Sequence, residues 1–368
     1  MSTSIASVLH GPKDLRLEPR SLPTPAPDEL QIRITATGLC GSDLHYYHTF
    51  RNGSIYVLEP LSLGHESAGI VVAVGSSISP STFSVNDKVA IECAIPCSTC
   101  SFCTSHPSRQ NLCPNLRFRS SGKLYPHFQG TLQQRINHPA RWCYKLPEQM
   151  GCEMGALLEP LGVAVHAWRR AQAERGERVL VLGAGAVGLL CAGVGMLRGM
   201  DVTIADLDVG RVGFAVENRF AGRKVVLSPP EKDAGVERME GIAREVGEFD
   251  LVMECTGVPA CVQLGIYAAR PGGRVMLIGM GHPVQTLPIG AAALREVDLL
   301  GVFRYTDTYP ESMEIVSKAL DDPKAPDIGK LVTHRFRGLE SVPDAFERAG
   351  KSRDEEGNVV VKVMVVDE

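Results

Sequence analysis

The sequence predicts an α/β protein of two domains, a β-rich unit and a doubly wound parallel sheet. Three observations carry this. At 368 residues the chain exceeds one ordinary core, since domains run to roughly 100–200 residues. Short strands fill the first third, whereas from about residue 165 strands alternate with helix-length segments, the pattern of a parallel sheet. A glycine-rich turn joins the first of those later strands to the helix behind it.

The elements follow in order. QIRITATG alternates, with Ile32, Ile34 and Ala36 on one face, SAGIVVAVGSSI is a β-branched run between glycines, and DKVAIE is a further short strand. No helix-period stretch interrupts them, so an antiparallel, barrel-like unit is expected, with prolines 23, 25 and 27 marking a stiff connection. Next come the strand RVLVLGAG, the helix AVGLLCAGVGMLRG and the strand DVTIADLD. FDLVMECTG, GGRVMLIGM and VDLLGVFR repeat the strand signal at spacings that leave room for helices. The end, NVVVKVMVVDE, is a strand that fits either domain. No internal repeat or low-complexity segment is present.

Composition excludes several functions. A hydrophobic fraction of 44% with 22% charged residues is globular rather than disordered. The net charge of −4 and the absence of a Lys/Arg run exclude a phosphate-backbone partner, so nucleic acid is not expected. The start, MSTSIASVLHGPKDL, lacks a secretory layout. Val179 to Leu197 is uncharged for nearly the length of a membrane span, but glycines at 183, 185, 188, 193 and 195 make it a strand, turn and buried helix. Asn52-Gly53-Ser54 matches a glycosylation acceptor by chance. Four of the eleven cysteines crowd between Cys97 and Cys113, which suits a reducing, cytoplasmic compartment and a metal rather than disulfides.

Gly183-Ala184-Gly185-Ala186-Val187-Gly188 fits G-x-G-x-x-G in its required context, after a strand and before a helix, with Asp206 ending the next strand. Gly183 allows the tight turn, Gly185 lets backbone approach a pyrophosphate, and Gly188 permits close helix packing. The helix start offers N–H donors to the anion. Asp206 is placed to bond ribose hydroxyls and to repel a 2′-phosphate, which favours NAD over NADP. Arg211, five residues on, is either a plain surface arginine or a group that greets a phosphate.

Two metal sets emerge. Cys97, Cys100, Cys103 and Cys113 lie in a Ser-, Pro- and Asn-rich segment, and four thiolates there suit a tetrahedral structural zinc. Cys40 in GLCGSDLHYYH, His65 and Glu66 in LGHESAG and Glu159 in ALLEPLGVAVHAW form a dispersed set. One thiolate, one imidazole and one or two carboxylates can hold a catalytic zinc with a position left open. A carboxylate such as Glu159 in an apolar run is exposed, neutral or facing a positive partner, and the zinc would be such a partner.

Together GLCGSDLHYY, EPLSLGHESAG, CSTCSFC with Cys113, ALLEPLGVAVHA, VLGAGAVG, ECTG, RPGGRV and REVDLLGVFRY resemble the zinc-dependent medium-chain dehydrogenase/reductase family, nearest its polyol branch. The resemblance covers nearly the whole chain. It implies a GroES-like catalytic domain over 1–161, completed by 301–368, and a Rossmann NAD-binding domain over 162–300. It also implies oxidation of a secondary hydroxyl of a sorbitol-, xylitol- or L-arabinitol-type polyol to a ketose, with NAD and zinc, and a homo-oligomer, tetramer favoured. Cys40, His65 and Glu66 match the family's ligands, and Glu159 stands where relatives have a second cysteine or a glutamate. Asp43 resembles the carboxylate that orients the ligand histidine, and Ser42 and His45 resemble a proton relay. Tyr46, Phe118, Arg304 and Tyr305 match polyol-pocket positions, while Thr256, Gly279 and Phe303 match positions near the nicotinamide.

The chain departs from the family in three places: the longer stretch TSHPSRQNL before Cys113, Gly162 for a serine after Glu-Pro-Leu, and the loop LRFRSSGKLYPHFQG, which leaves the exact polyol open. Two rival functions remain. One is a dehydrogenase for a simple secondary alcohol or a threonine-like substrate, which Arg304 and Tyr46 disfavour. The other is a non-catalytic relative that binds NAD and zinc.

Overall fold

The structure is a computed structural model that describes residues 2–228 and 236–367. It divides into two compact units, Met1–Glu159 with Leu331–Glu368, and Pro160–Lys330. Residues 301–330, expected with the first domain, therefore lie with the second. The reason is the helix Tyr309–Asp321: its Glu311 accepts from Arg169 at 2.8 Å and from Arg198 at 2.6 Å, tying it to two helices of the second unit.

In the first unit a large sheet places Cys143–Lys145, Lys88–Ile91, Glu66–Val74, Glu29–Gly38, Lys362–Val366 and Val332–Arg337 side by side, with Arg135–Pro139 also paired to Glu29–Gly38. A smaller sheet joins Asp14–Leu22, Ser2–Gly11 and Leu61–Ser62. Alternation explains the packing of Glu29–Gly38, where Leu30, Ile32 and Ile34 are buried with Val71, Val89 and Ile91. The C-terminal strand, unassigned by sequence, closes this unit: Met364 faces Gly38 and Val366 faces Ala36 in antiparallel register. The helices Gly41–Thr49 and Ser101–Thr104 interrupt the expected all-β stretch, and the longer of them, Gly41–Thr49, carries site residues. The apolar residues of Gly41–Thr49 form no clean 3.6-residue stripe, and a side chain caps its start, the Asp43 carboxylate accepting from the Cys40 N–H at 3.3 Å.

The second unit is a six-stranded sheet in the order Arg223–Val226, Asp201–Asp206, Arg178–Leu182, Phe249–Glu254, Ala269–Leu277, Asp298–Gly301. All neighbours are parallel. Numbered along the chain this order is 3-2-1-4-5-6, whose switch point falls between Arg178–Leu182 and Phe249–Glu254, where such sheets bind ligands. The glycine turn follows the first of these strands and Cys255-Thr256-Gly257 follows the second. The apolar run from Val179 resolves into strand, turn and the helix Ala186–Leu197. No helix of the described residues is long and apolar enough to cross a membrane.

Candidate active site and dinucleotide turn

Three strands and one helix end build the site of the first unit. Cys40 caps the helix Gly41–Thr49 directly after the strand Glu29–Gly38, and Glu66 opens the neighbouring strand, opposite Gly38. The ligand atoms of Cys40, His65 and Glu66 lie within 4.8 Å of one another. A Cβ at position 38 would stand 2.3 Å from Glu66 Oε2, so a side chain there would displace that carboxylate from its place.

A buried network fixes the His65 ring. Asp43, fully buried, accepts at Oδ1 from Ser120 Oγ at 2.8 Å and from the Gly64 N–H at 3.2 Å. His65 Nδ1 lies 2.9 Å from Ser120 Oγ and 3.3 Å from Asp43 Oδ2. With the Ser120 proton committed to Asp43, Nδ1 carries the ring proton and Nε2 presents its lone pair, the tautomer a metal needs. Burial opposes charge on both partners. Even so, their mutual attraction and hydrogen bonds hold Asp43 below the usual carboxylate range and raise His65 well above its ordinary value. A cation at Nε2 would take the place of that proton. Ser120 was not singled out by sequence, since nothing local marks a serine 77 residues from Asp43.

Lys362 was missed as well. It is buried at 4% exposure, and its ammonium donates to both oxygens of Glu66 at 2.7 Å and to the Leu39 carbonyl at 3.1 Å. Burial opposes its charge, but Glu66, Cys40 and Glu159 together raise its pKa. Glu159, in the first turn of Leu158–Ala171, is 5% exposed and accepts from the Cys93 thiol at 3.8 Å. It lies outside the group formed by Cys40, His65 and Glu66.

Other candidates of this unit sit close by. The Phe118 ring is 5.1 Å from the His65 ring. Tyr46 is buried, with its hydroxyl accepting from the Gly122 N–H at 3.2 Å. Ser42 is half-buried and His45 exposed, with His45 Nδ1 3.1 Å from Asn52 Oδ1.

The four-cysteine cluster assembles in full, Cys97, Cys100, Cys103 and Cys113 having their Sγ atoms within 4.8 Å of one another. The extra residues before Cys113 form the 3-10 turn Pro107–Leu112, which returns the chain to the cluster. Hydrogen bonds from Thr99 and the Cys100 N–H hold the Cys97 thiol down to about 5. Burial and the neighbouring thiols push Cys103 up to about 12 and raise Cys113. That crowding disfavours the thiolate form of Cys103 and Cys113, a cost that a bound cation would offset.

In the second unit Gly183 has φ +96, and a Cβ at Gly188 would stand 1.8 Å from the Gly183 carbonyl oxygen, so neither tolerates a side chain. Gly185 caps the helix that begins Ala186-Val187 and has open space where a Cβ would go, room for a pyrophosphate. Asp206 accepts from the Ala184 N–H at 2.7 Å and the Asp208 N–H at 2.9 Å, which fixes its carboxylate against the turn. Arg211 lies in the first turn of Val209–Glu217, its N–H on Asp208. Gly279 approaches Thr256-Gly257 so closely that a Cβ would be 2.1 Å from the Gly257 nitrogen. The Thr256 hydroxyl donates to Glu254.

Phe303 is 46% exposed, and the Arg304 guanidinium lies 5.2 Å from its ring on a backbone with φ 52. Tyr305, by contrast, is buried against Tyr309. A Cβ at Gly162 would lie 2.7 Å from Thr308 Oγ1 and 3.4 Å from the Tyr305 ring, which accounts for glycine there.

Comparison with known proteins identifies the family. Residues 26–148 match the alcohol dehydrogenase GroES-like domain and residues 186–318 the zinc-binding dehydrogenase family. Over 350 residues the chain is 41% identical to a sorbitol dehydrogenase of Macaca fascicularis, covering 94% of this chain and 92% of the relative. The chain belongs to the zinc-dependent medium-chain dehydrogenase/reductase family, in its polyol branch. This family membership makes it an oxidoreductase that works with zinc and a nicotinamide dinucleotide. Among solved structures, L-idonate 5-dehydrogenase from Escherichia coli superposes with a TM-score of 0.84 at 25% identity, covering 99% of this chain and 98% of that one. A zinc-binding dehydrogenase from Sinorhizobium meliloti bound to NADP gives 0.83 at 26%, covering 100% of both. Measured against this family, the first unit contains the GroES-like domain and the second the dinucleotide sheet.

Proposed function

We propose that the protein oxidises a secondary hydroxyl of a sugar alcohol to a ketose, using NAD and one zinc held by Cys40, His65 and Glu66 with Glu159 beside them. The observation that carries this is the convergence of half-buried Cys40 with buried His65 and Glu66, their ligand atoms within 4.8 Å of one another, in a chain similar to sorbitol dehydrogenase. Bound there, zinc supplies a Lewis acid that lowers the pKa of a substrate hydroxyl, and nicotinamide accepts the hydride.

The chain's own residues do the rest. Asp43 and Ser120 hold the His65 tautomer. Ser42 and His45, three apart on one helix face, offer a proton path that ends at an exposed imidazole. Tyr46, Phe118, Arg304 and Tyr305 are the proposed polyol contacts, Tyr305 being buried against Tyr309. Gly183, Gly185, Val187 and Gly188 would take the pyrophosphate. Thr256, Gly279 and Phe303 would border the nicotinamide. Asp206, fixed by two N–H bonds, would bond the ribose and turn away a 2′-phosphate, with Arg211 beside it.

The Cys97, Cys100, Cys103 and Cys113 cluster is the proposed structural zinc site. The eleven free thiols fit a reducing cytoplasm, and the expected working form is a homotetramer.

The test is a substrate panel read at the NADH band. A buried donor left unpaired by a small alcohol costs about 1–3 kcal/mol, so sorbitol, xylitol or L-arabinitol should exceed 2-propanol and ethanol roughly ten- to a hundredfold in kcat/KM. Arg304→Ala should erode the polyols far more than the small alcohols. A small alcohol that wins, or equal use of NADP, overturns the reading.

A further inference from the structure

The cluster around Cys40 is rich in negative charge. Asp43, Glu66 and Glu159 are all buried, Glu66, Glu159 and the Cys40 thiol all act on the same lysine, Lys362, and a divalent cation would balance only part of this charge. Lys362 is the basic side chain inside the cluster, and it reaches in from a strand far along the chain, 296 residues from Glu66.

An ammonium has three donors, and all three are placed: two on Glu66 at 2.7 Å and one on the Leu39 carbonyl at 3.1 Å. With no donor to spare, Lys362 is not arranged to pass a proton to substrate. Its partners instead belong to the ligand segments, Leu39 preceding Cys40 and Glu66, itself a proposed ligand, following His65. The strand that carries it, Lys362–Val366, is registered on Gly38 through Met364, and Gly38 is where a Cβ would displace Glu66. Gly38 on one side and Lys362 on the other leave the Glu66 carboxylate a single seat.

We propose that Lys362 is a positioning residue of the metal site, holding Glu66 by both oxygens and pinning the Cys40 and His65 segments to the C-terminal strand. This rests on the assignment of Cys40, His65 and Glu66 as zinc ligands. Lys362 acts through Glu66 and touches neither substrate nor cofactor.

The experiment compares Lys362→Met, Lys362→Arg, Glu66→Gln and the Glu66→Gln/Lys362→Met pair with the parent, using the intact zinc-loaded protein. Readouts are zinc release to a chromophoric chelator, the visible spectrum after cobalt substitution, and kcat against KM. Lys362→Met should release the zinc that Cys40→Ser abolishes about 10- to 100-fold faster, the range for partners that orient metal ligands. It should also shift the cobalt band and lower kcat with the KM for NAD unchanged. Lys362→Arg, which can fork onto a carboxylate, should restore most of each.

Lys362→Met leaves Glu66 unpaired and can unfold the chain. The double variant removes both charges, and in it the lysine change should add little to Glu66→Gln alone. Parental release and spectrum in Lys362→Met, or an effect undiminished on the Glu66→Gln background, overturns the proposal. Zinc retained at that site in Cys40→Ser would instead overturn the ligand assignment beneath it.

Discussion

A carboxylate such as Glu159 persists in an apolar helix only beside positive charge, and that charge comes in part from Lys362. Glu159→Gln keeps the volume and removes the charge. The fold and most of the zinc should survive while kcat drops about tenfold or more, the scale seen when a group supporting a metal site is lost; parental turnover would make Glu159 purely structural. Gly38 gives a sharper test. Its missing Cβ leaves the space that Glu66 Oε2 occupies, so Gly38→Ala should cost about 1–3 kcal/mol of stability, as overpacking does, and weaken zinc retention as well. Unchanged zinc content and melting would contradict the close approach. Cys40, His65, Glu66 and Asp43 were legible in sequence because each sits in a short motif. Ser120 and Lys362 were not, because their chemistry depends on what the sheet brings next to them.

Elements differ in how openly they announce themselves. The glycine turn did so, since Gly183 and Gly188 face a steric requirement that their spacing between a strand and a helix reveals. So did the cysteine lobe, where a Cys-x2-Cys-x2-Cys run has few uses besides metal. Elemental analysis after dialysis should find two zinc ions per chain, and Cys100→Ser should remove one while sparing the zinc held by Cys40. A single zinc that Cys100→Ser leaves untouched would abolish the structural site. The helix Gly41–Thr49 went unread because its buried face mixes Asp43 with Tyr46 and Tyr47, and periodicity finds only apolar stripes.

At the scale of the whole molecule the two units carry different parts of the chemistry. Every proposed zinc ligand belongs to the first unit, and every proposed dinucleotide contact to the second. Stripping zinc with a strong chelator should therefore lower the melting temperature, by loss of a ligand that binds only the folded state, while NADH binding followed by fluorescence persists. Loss of NADH binding in step with the metal would refute this division.

The sequence by itself determined the α/β class and the glycine turn with Asp206, because each depends on spacing or periodicity within a few residues, and it named the candidate ligands, the cysteine set by its spacing and the dispersed set by the family resemblance. Tertiary structure alone decided that the C-terminal strand closes the first unit, that residues 301–330 stay with the second, and that Lys362 meets Glu66. The physical reason is common to all three. A strand edge, a helix face and a buried ammonium are each satisfied by partners that local sequence does not name, and a pairing across 296 residues exists only once the sheet has set its register.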